Sequence, residues 1–100
     1  MLHVVAFLTA QPGKRDELLA IFNANVPAVL AEKGCIDYGA AIDTAGAAPA
    51  FGPDVLVAIE KWEDHAALQA HGAAEHMKAF RNNIAGIIAD VAVHVLDPAG

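Results

Sequence analysis

Three stretches of this 100-residue chain are apolar on both of their alternating faces, and that pattern restricts the fold more than any motif does. Residues 2–10 set Leu2, Val4, Ala6 and Leu8 against Val5 and Phe7. Residues 54–62 set Val55, Val57 and Ile59 against Leu56 and Ala58, and residues 90–96 set Val91, Val93 and Val95 against Ala92 and Leu96. A strand sends alternate side chains to opposite sides, so a sheet made of these strands needs apolar cover on both faces. Their β-branched and aromatic content favours strand over helix.

Between the strands the periodicity changes. Pro12-Gly13 punctuates the end of the first strand, and Asp16 and Glu17 suit the first turn of a helix predicted to run to about Lys33. Its buried stripe is Leu18, Phe22, Val26, Val29 and Leu30, at steps of three and four. Pro27 should bend or break it, and Gly34 should cap it. A second strand is expected over 35–43, then a Gly/Pro/Ala loop over 44–53 and the third strand over 54–62. Glu63, Asp64 and His65 open a second helical region with a stripe of Met77, Phe80, Ile84, Ile87 and Ile88 and a break at Gly72. The fourth strand is expected over 90–96.

The order β-α-β-β-α-β, with right-handed crossovers, gives an α+β ferredoxin-like plait: a four-stranded antiparallel sheet with helices on one face. Residues 1–100 read as a single domain. One chain leaves the helix-free faces of strands one, three and four bare, and a second copy is the economical cover, so a homodimer is expected.

Twelve acidic against six basic side chains give a net charge of −6, the reverse of what a phosphate backbone attracts, so no nucleic-acid partner is expected. No window of roughly 18 residues lacks charge, and no membrane span is expected. Residues 2–10 have no cationic lead and alternate like a strand, which reads as structure and not as a signal peptide. The single Cys35 has no internal disulfide partner, which fits a cytoplasmic protein.

Five histidines invite acid/base or metal chemistry. His71 and His76 stand about 140° apart round a continuous helix, so they do not share one face, and no metal is expected. Either is a candidate pocket base or a helix-surface residue. His3 and His94 read as packed or edge residues within strands, and His65 as solvated. Glu60 lies in line with Leu56, Ala58 and Trp62, where a carboxylate is costly unless paired; a structural salt bridge to Lys61 or Lys78 of either subunit, with Trp62 as core filler, is one reading and a pocket group the other. Tyr38 is a pocket cap or a sheet-edge residue, and Cys35 a small buried residue more than a nucleophile. No phosphate cradle, nucleophile elbow or paired-Cys spacing is present.

The run Pro12-Gly13, Pro27-x-Val29-Leu30-x-Glu32-x-Gly34-Cys35-x-x-Tyr38, Ile59-Glu60-x-Trp62-Glu63, Leu68-x-Ala70-His71 and His76-Met77-Lys78-Ala79 resembles the antibiotic biosynthesis monooxygenase (ABM) family, its bacterial quinol monooxygenases above all. The likeness spans about residues 2–98. It implies a dimeric α/β barrel that oxidises quinols or phenols with molecular oxygen, commonly without flavin, heme or metal, so no cofactor is expected. On that reading His71 or His76 removes a proton, and Trp62, Tyr38, Phe80, Met77, Glu60 and Phe51 meet the substrate. The polyketide-oxidising branch carries an Asn four residues before the Trp and a Tyr six after it, where this chain has Ala58 and Leu68. The heme-degrading branch uses an Asn on the first strand, absent from residues 2–10. The same domain also serves an isomerase, so isomerisation of a small hydroxy-carbonyl compound, or ligand binding without turnover, are the alternatives.

Overall fold

A computed structural model describes residues 1–100. Its elements are β1 Leu2–Ala10, α1 Arg15–Leu30, β2 Cys35–Ala41, β3 Val55–Trp62, α2 His65–Ala73, α3 Glu75–Ile84 and β4 Ile88–Leu96. They form the expected ferredoxin-like plait, one antiparallel sheet in the order β2-β3-β1-β4. The chain has no helix long and apolar enough to cross a membrane.

β1 is an inner strand, and its alternation sorts the molecule. Leu2, Val4, Ala6, Leu8 and Ala10 are buried, as are Leu56, Ala58, Glu60 and Trp62 on β3. Leu18, Phe22 and Val29 of α1 and Met77, Phe80 and Ile84 of α3 close over that side, where burying each large side chain stabilises by roughly 1.5–3 kcal/mol.

Several expected boundaries move, each for a local reason. α1 stops at Leu30 and not at Lys33: Ala31 N–H makes the last four-residue helical bond, to the Pro27 carbonyl, and Glu32 N–H turns instead to the Val29 carbonyl three residues back. Pro27 stays inside the helix, where the hydrogen bond it removes belongs to exposed Asn23. The second helical region breaks at Ala74, two residues after Gly72, with an extended ψ of 144°. Ile87 and Ile88 leave the helical stripe; Ile88 begins β4. β2 ends at Ala41 because Asp43 turns back, its carboxylate accepting from the backbone N–H groups of Phe51 (3.1 Å) and Gly52 (2.9 Å), which hold that carboxyl below its usual range.

β4 shows why both parities of the outer strand are apolar. Val91, Val93 and Val95 pair with Leu8, Ala6 and Val4, so they face the helix side, yet Val93 is 58% exposed. The helices stop short of this edge. Val57 pairs with Phe7 and so lies on the opposite, helix-free face, which correspondingly carries Ile59 and Leu96, each about half exposed. Sequence alone leaves open which parity of these strands faces away from the helices; pairing puts Val57 on the helix-free face and Val93 on the helix side.

Gly34 sets the approach of α2 to the α1–β2 turn. Its φ is +85°, and a Cβ there would stand 2.5 Å from Ala67 Cβ. Gly34→Ala is expected to cost roughly 1–3 kcal/mol from backbone strain alone, read as a lower urea midpoint. Ala67→Gly in the same chain should return part of it, and an unshifted midpoint for Gly34→Ala would contradict the close approach.

Candidate active site

Across the sheet the register aligns Ala40, Ala58, Ala6 and Val93 in one row. Small side chains there leave a cavity of about 470 Å³ between α2–α3 and the sheet. Val4, Ala6, Leu8 and Ala58 form its floor, and Leu68, Met77, Phe80 and Ile84 its roof. Phe22 and Tyr38, stacked at 5.1 Å with rings nearly parallel, close one side, and Val91 and Val93 the other. The polar side chains that reach it are Tyr38, Glu60, His71 and Arg81.

Glu60 is 6% exposed and has no lysine partner. Lys61 has the opposite strand parity, across from Asp37, and Lys78 Nζ is held by Glu75 at 3.1 Å, so neither lysine pairs with Glu60 within the chain. Trp62 Nε1–H donates to Glu60 Oε1 at 2.9 Å instead. Burial pushes the Glu60 carboxyl up, with the Trp62 hydrogen bond and nearby His71 opposing and Glu32 adding to the rise. Burial likewise pushes the Tyr38 hydroxyl well above its ordinary value, reinforced by the charges of Glu60 and Glu32.

His71, 7% exposed, has its ring centroid 4.6 Å from that of Trp62 and 5.6 Å from that of Tyr38. Its Nδ1 lies 2.7 Å from Glu32 Oε2, and His76 Nε2 lies 3.0 Å from the same oxygen. The two histidines therefore converge, against the expectation drawn from a continuous helix. The turn at Ala74 puts them on separate helices, so the 140° offset no longer applies. They differ in outlook: His71 lines the cavity, while His76 lines a shallow groove with Ile21, Asn25 and Asn83.

Of the other residues singled out from sequence, Phe80 and Met77 line the cavity, and Met77 Sδ also accepts from Asn25 Nδ2 at 3.3 Å. Trp62 is fully buried behind the wall and touches the cavity only through His71 and Glu60. Phe51 is elsewhere, packed on Phe7 at 4.9 Å on the helix-free side. His65 is exposed, and His94 meets Phe7 edge-on at 5.7 Å. Glu32 is the residue that sequence reasoning passed over. One signal pointed to it: it follows the C-terminus of α1, where the helix dipole disfavours a carboxylate that lacks a partner.

A plait with an apolar cavity carrying Tyr38, Glu60 and His71 between helix and sheet is the frame of a known class. The chain belongs to the antibiotic biosynthesis monooxygenase family, whose profile matches residues 1–83. It is 36% identical over 102 residues to the Probable quinol monooxygenase YgiN of Escherichia coli K12, covering 98% of each chain. Among solved structures it is similar to PA3566 from Pseudomonas aeruginosa, at 28% identity and TM-score 0.84 over 99% of this chain and 94% of that one. A crystal structure of an antibiotic biosynthesis monooxygenase matches at 29% identity and TM-score 0.84 over the whole of both chains.

The raised Glu60 carboxyl has a signed effect on stability. Between its ordinary value of 4.5 and its higher folded value, the folded state holds more proton than the unfolded one. Stability from this group is therefore full below the ordinary value and falls as pH rises towards the folded one. Glu60→Gln removes that fall. Its melting temperature relative to the parent should climb as pH rises above 4.5; a pH-independent difference would show that burial does not raise the Glu60 carboxyl.

Proposed function

We propose that this protein oxidises a quinol or phenolic small molecule with molecular oxygen as a monooxygenase, and that it works as a homodimer. The observation that carries the reading is the position of His71, a buried imidazole on an otherwise mainly apolar cavity, beside Tyr38 and Glu60. Family membership and the likeness to a protein named for quinol oxidation support the reaction class.

The chemistry asks little of the protein beyond binding and proton removal. A hydroquinone ring fits between the floor alanines and Phe80 and Met77, and His71 takes a hydroxyl proton. The resulting quinolate is itself an adequate reductant for oxygen, so no flavin, heme or metal is required. In balance, one hydroquinone and one O₂ give one hydroxyquinone and one water: one oxygen atom enters the ring, and the other leaves as water with the two hydrogens the substrate loses. Tyr38, kept protonated by its burial, donates to the developing oxyanion, where a fixed donor in a dry site is most effective. His76, facing the groove and not the cavity, supports Glu32 and does not meet the substrate. The dimer reading is supported by the half-exposed Ile59 and Leu96 on the helix-free face, which a second copy would cover.

A second reading draws on Glu60. A carboxyl favoured in its neutral form and an imidazole on one cavity are an acid and a base suited to moving a proton along a hydroxy-carbonyl compound, an isomerisation that needs no oxygen.

Oxygen uptake on addition of hydroquinones, with and without chelator, separates the two; substrate conversion that proceeds equally without oxygen would establish the isomerase instead. His71→Ala is expected to lower turnover roughly 10²- to 10⁴-fold, and His76→Ala to lower it less. Phe80→Ala should weaken substrate binding and also cost about 3–5 kcal/mol of stability. Light scattering should show a dimer that Val57→Asp disrupts; a stable monomer at micromolar concentration overturns the assembly.

A further inference from the structure

We infer that Glu32 is the positioning residue of the cavity base. It holds His71 in the tautomer that bears its proton on Nδ1 and leaves the Nε2 lone pair for the substrate. The inference rests on the reading of His71 as base given above. A carboxylate oxygen carries no hydrogen, so each imidazole nitrogen within hydrogen-bond distance of Glu32 Oε2 must bring its own. His71 Nδ1 at 2.7 Å and His76 Nε2 at 3.0 Å are therefore both N–H donors. A neutral imidazole has one N–H, so Nε2 of His71 is the acceptor on a ring that lines the cavity. Free histidine favours the opposite tautomer. The hydrogen bond reverses that preference.

Glu32 does a second thing when His71 takes a proton. Its side chain is only 13% exposed and that of His71 8%, so the negative charge acts on the imidazolium with little screening by water. His76, reaching in from α3, fixes the carboxylate by its own N–H and offsets the repulsion from the carbonyl end of α1. Glu32 touches no substrate and works through His71.

The same three donor atoms lie within 4.8 Å of one another and are of the type that binds zinc. The carboxylate-to-imidazole separations are nevertheless hydrogen-bond lengths, shorter than the roughly 3.3 Å between donors around a tetrahedral zinc ion with bonds of about 2.0–2.1 Å.

Nitrogen-15 spectra of labelled protein read the tautomer without any substrate. The parent should show a protonated Nδ1 and an unprotonated Nε2 for His71, and Glu32→Ala should lose that preference. In turnover, Glu32→Ala is expected to lose roughly 10²- to 10⁴-fold in kcat with little change in KM, yet to cost nothing further in a His71→Ala background. Glu32→Gln, nearly isosteric, should keep the tautomer through its amide oxygen but still lose turnover through its missing charge. A proton on Nε2 of His71 in the parent overturns the inference, as does an undiminished Glu32→Ala penalty in the His71→Ala background. Stoichiometric zinc binding abolished by Glu32→Ala would overturn it too, making the cluster a metal centre. Unchanged turnover in His71→Ala would instead remove the base reading, and the nitrogen spectra would still decide whether Glu32 sets the tautomer.

Discussion

The row of small residues that crosses all four strands, Ala40, Ala58, Ala6 and Val93, is the constraint on which the site depends. On one side of it stand Leu56, Leu8 and Val91, and on the other Tyr38, Glu60, Val4 and Val95. Over β1 and β3 the helices close on the larger buried side chains flanking the row, while at β4 they stop short and leave Val91 and Val95 about half exposed. Protein interiors are otherwise close-packed, so the space above three alanines is what a ligand of ring thickness requires. It also explains why Tyr38 and Glu60, adjacent across β2 and β3, sit at the margin of the cavity and not in its middle.

Charge follows the same geometry. His71 lies near two carboxyl groups in different circumstances. Glu32 bonds it directly, while Glu60 is turned to Trp62 and pushed by burial towards its neutral form. Environment alone separates two chemically equal side chains into one that meets two imidazoles and one whose neutral form burial favours. One oxygen of Glu32 also joins three helical segments, since it follows α1 and receives donors from α2 and α3.

Much of this was legible in the sequence. Strand positions followed from alternation, and the plait from element order, because both depend on periods that survive folding unchanged. Phe80 and Met77 were readable as buried groups from the helical stripe, and as cavity walls only through the family likeness. What escaped depended on a backbone turn with no strong residue signature. Ala74 has neither the flexibility of glycine nor the restraint of proline, yet its extended ψ decides whether His71 and His76 diverge or meet. Glu32 escaped with it, since its partners lie 39 and 44 residues away. Trp62 read two ways, as core filler beside Glu60 and, through the family likeness, as a wall; its strand parity is that of the cavity-lining Ala58 and Glu60, and only its complete burial, off the cavity, makes it a support. The outer face of β4 could not be assigned from its own residues, because both parities are apolar and only pairing with β1 distinguishes them.

The position of β1 inside the sheet has a kinetic side. Its neighbours are β3 and β4, which lie roughly half a chain and nearly a whole chain away, and the only strands joined by a direct hairpin are β2 and β3. The contacts that complete the sheet are therefore the most distant in sequence. Such contacts raise contact order and slow folding relative to a helical bundle of equal length. The β2–β3 hairpin can form early on local contacts alone, whereas the alanine row, and with it the cavity, exists only once Leu2–Ala10 has threaded between β3 and β4. In this fold the cavity is closed by the contacts most distant in sequence, and a chain that has not completed them holds half-built, apolar strand edges open to association with other chains.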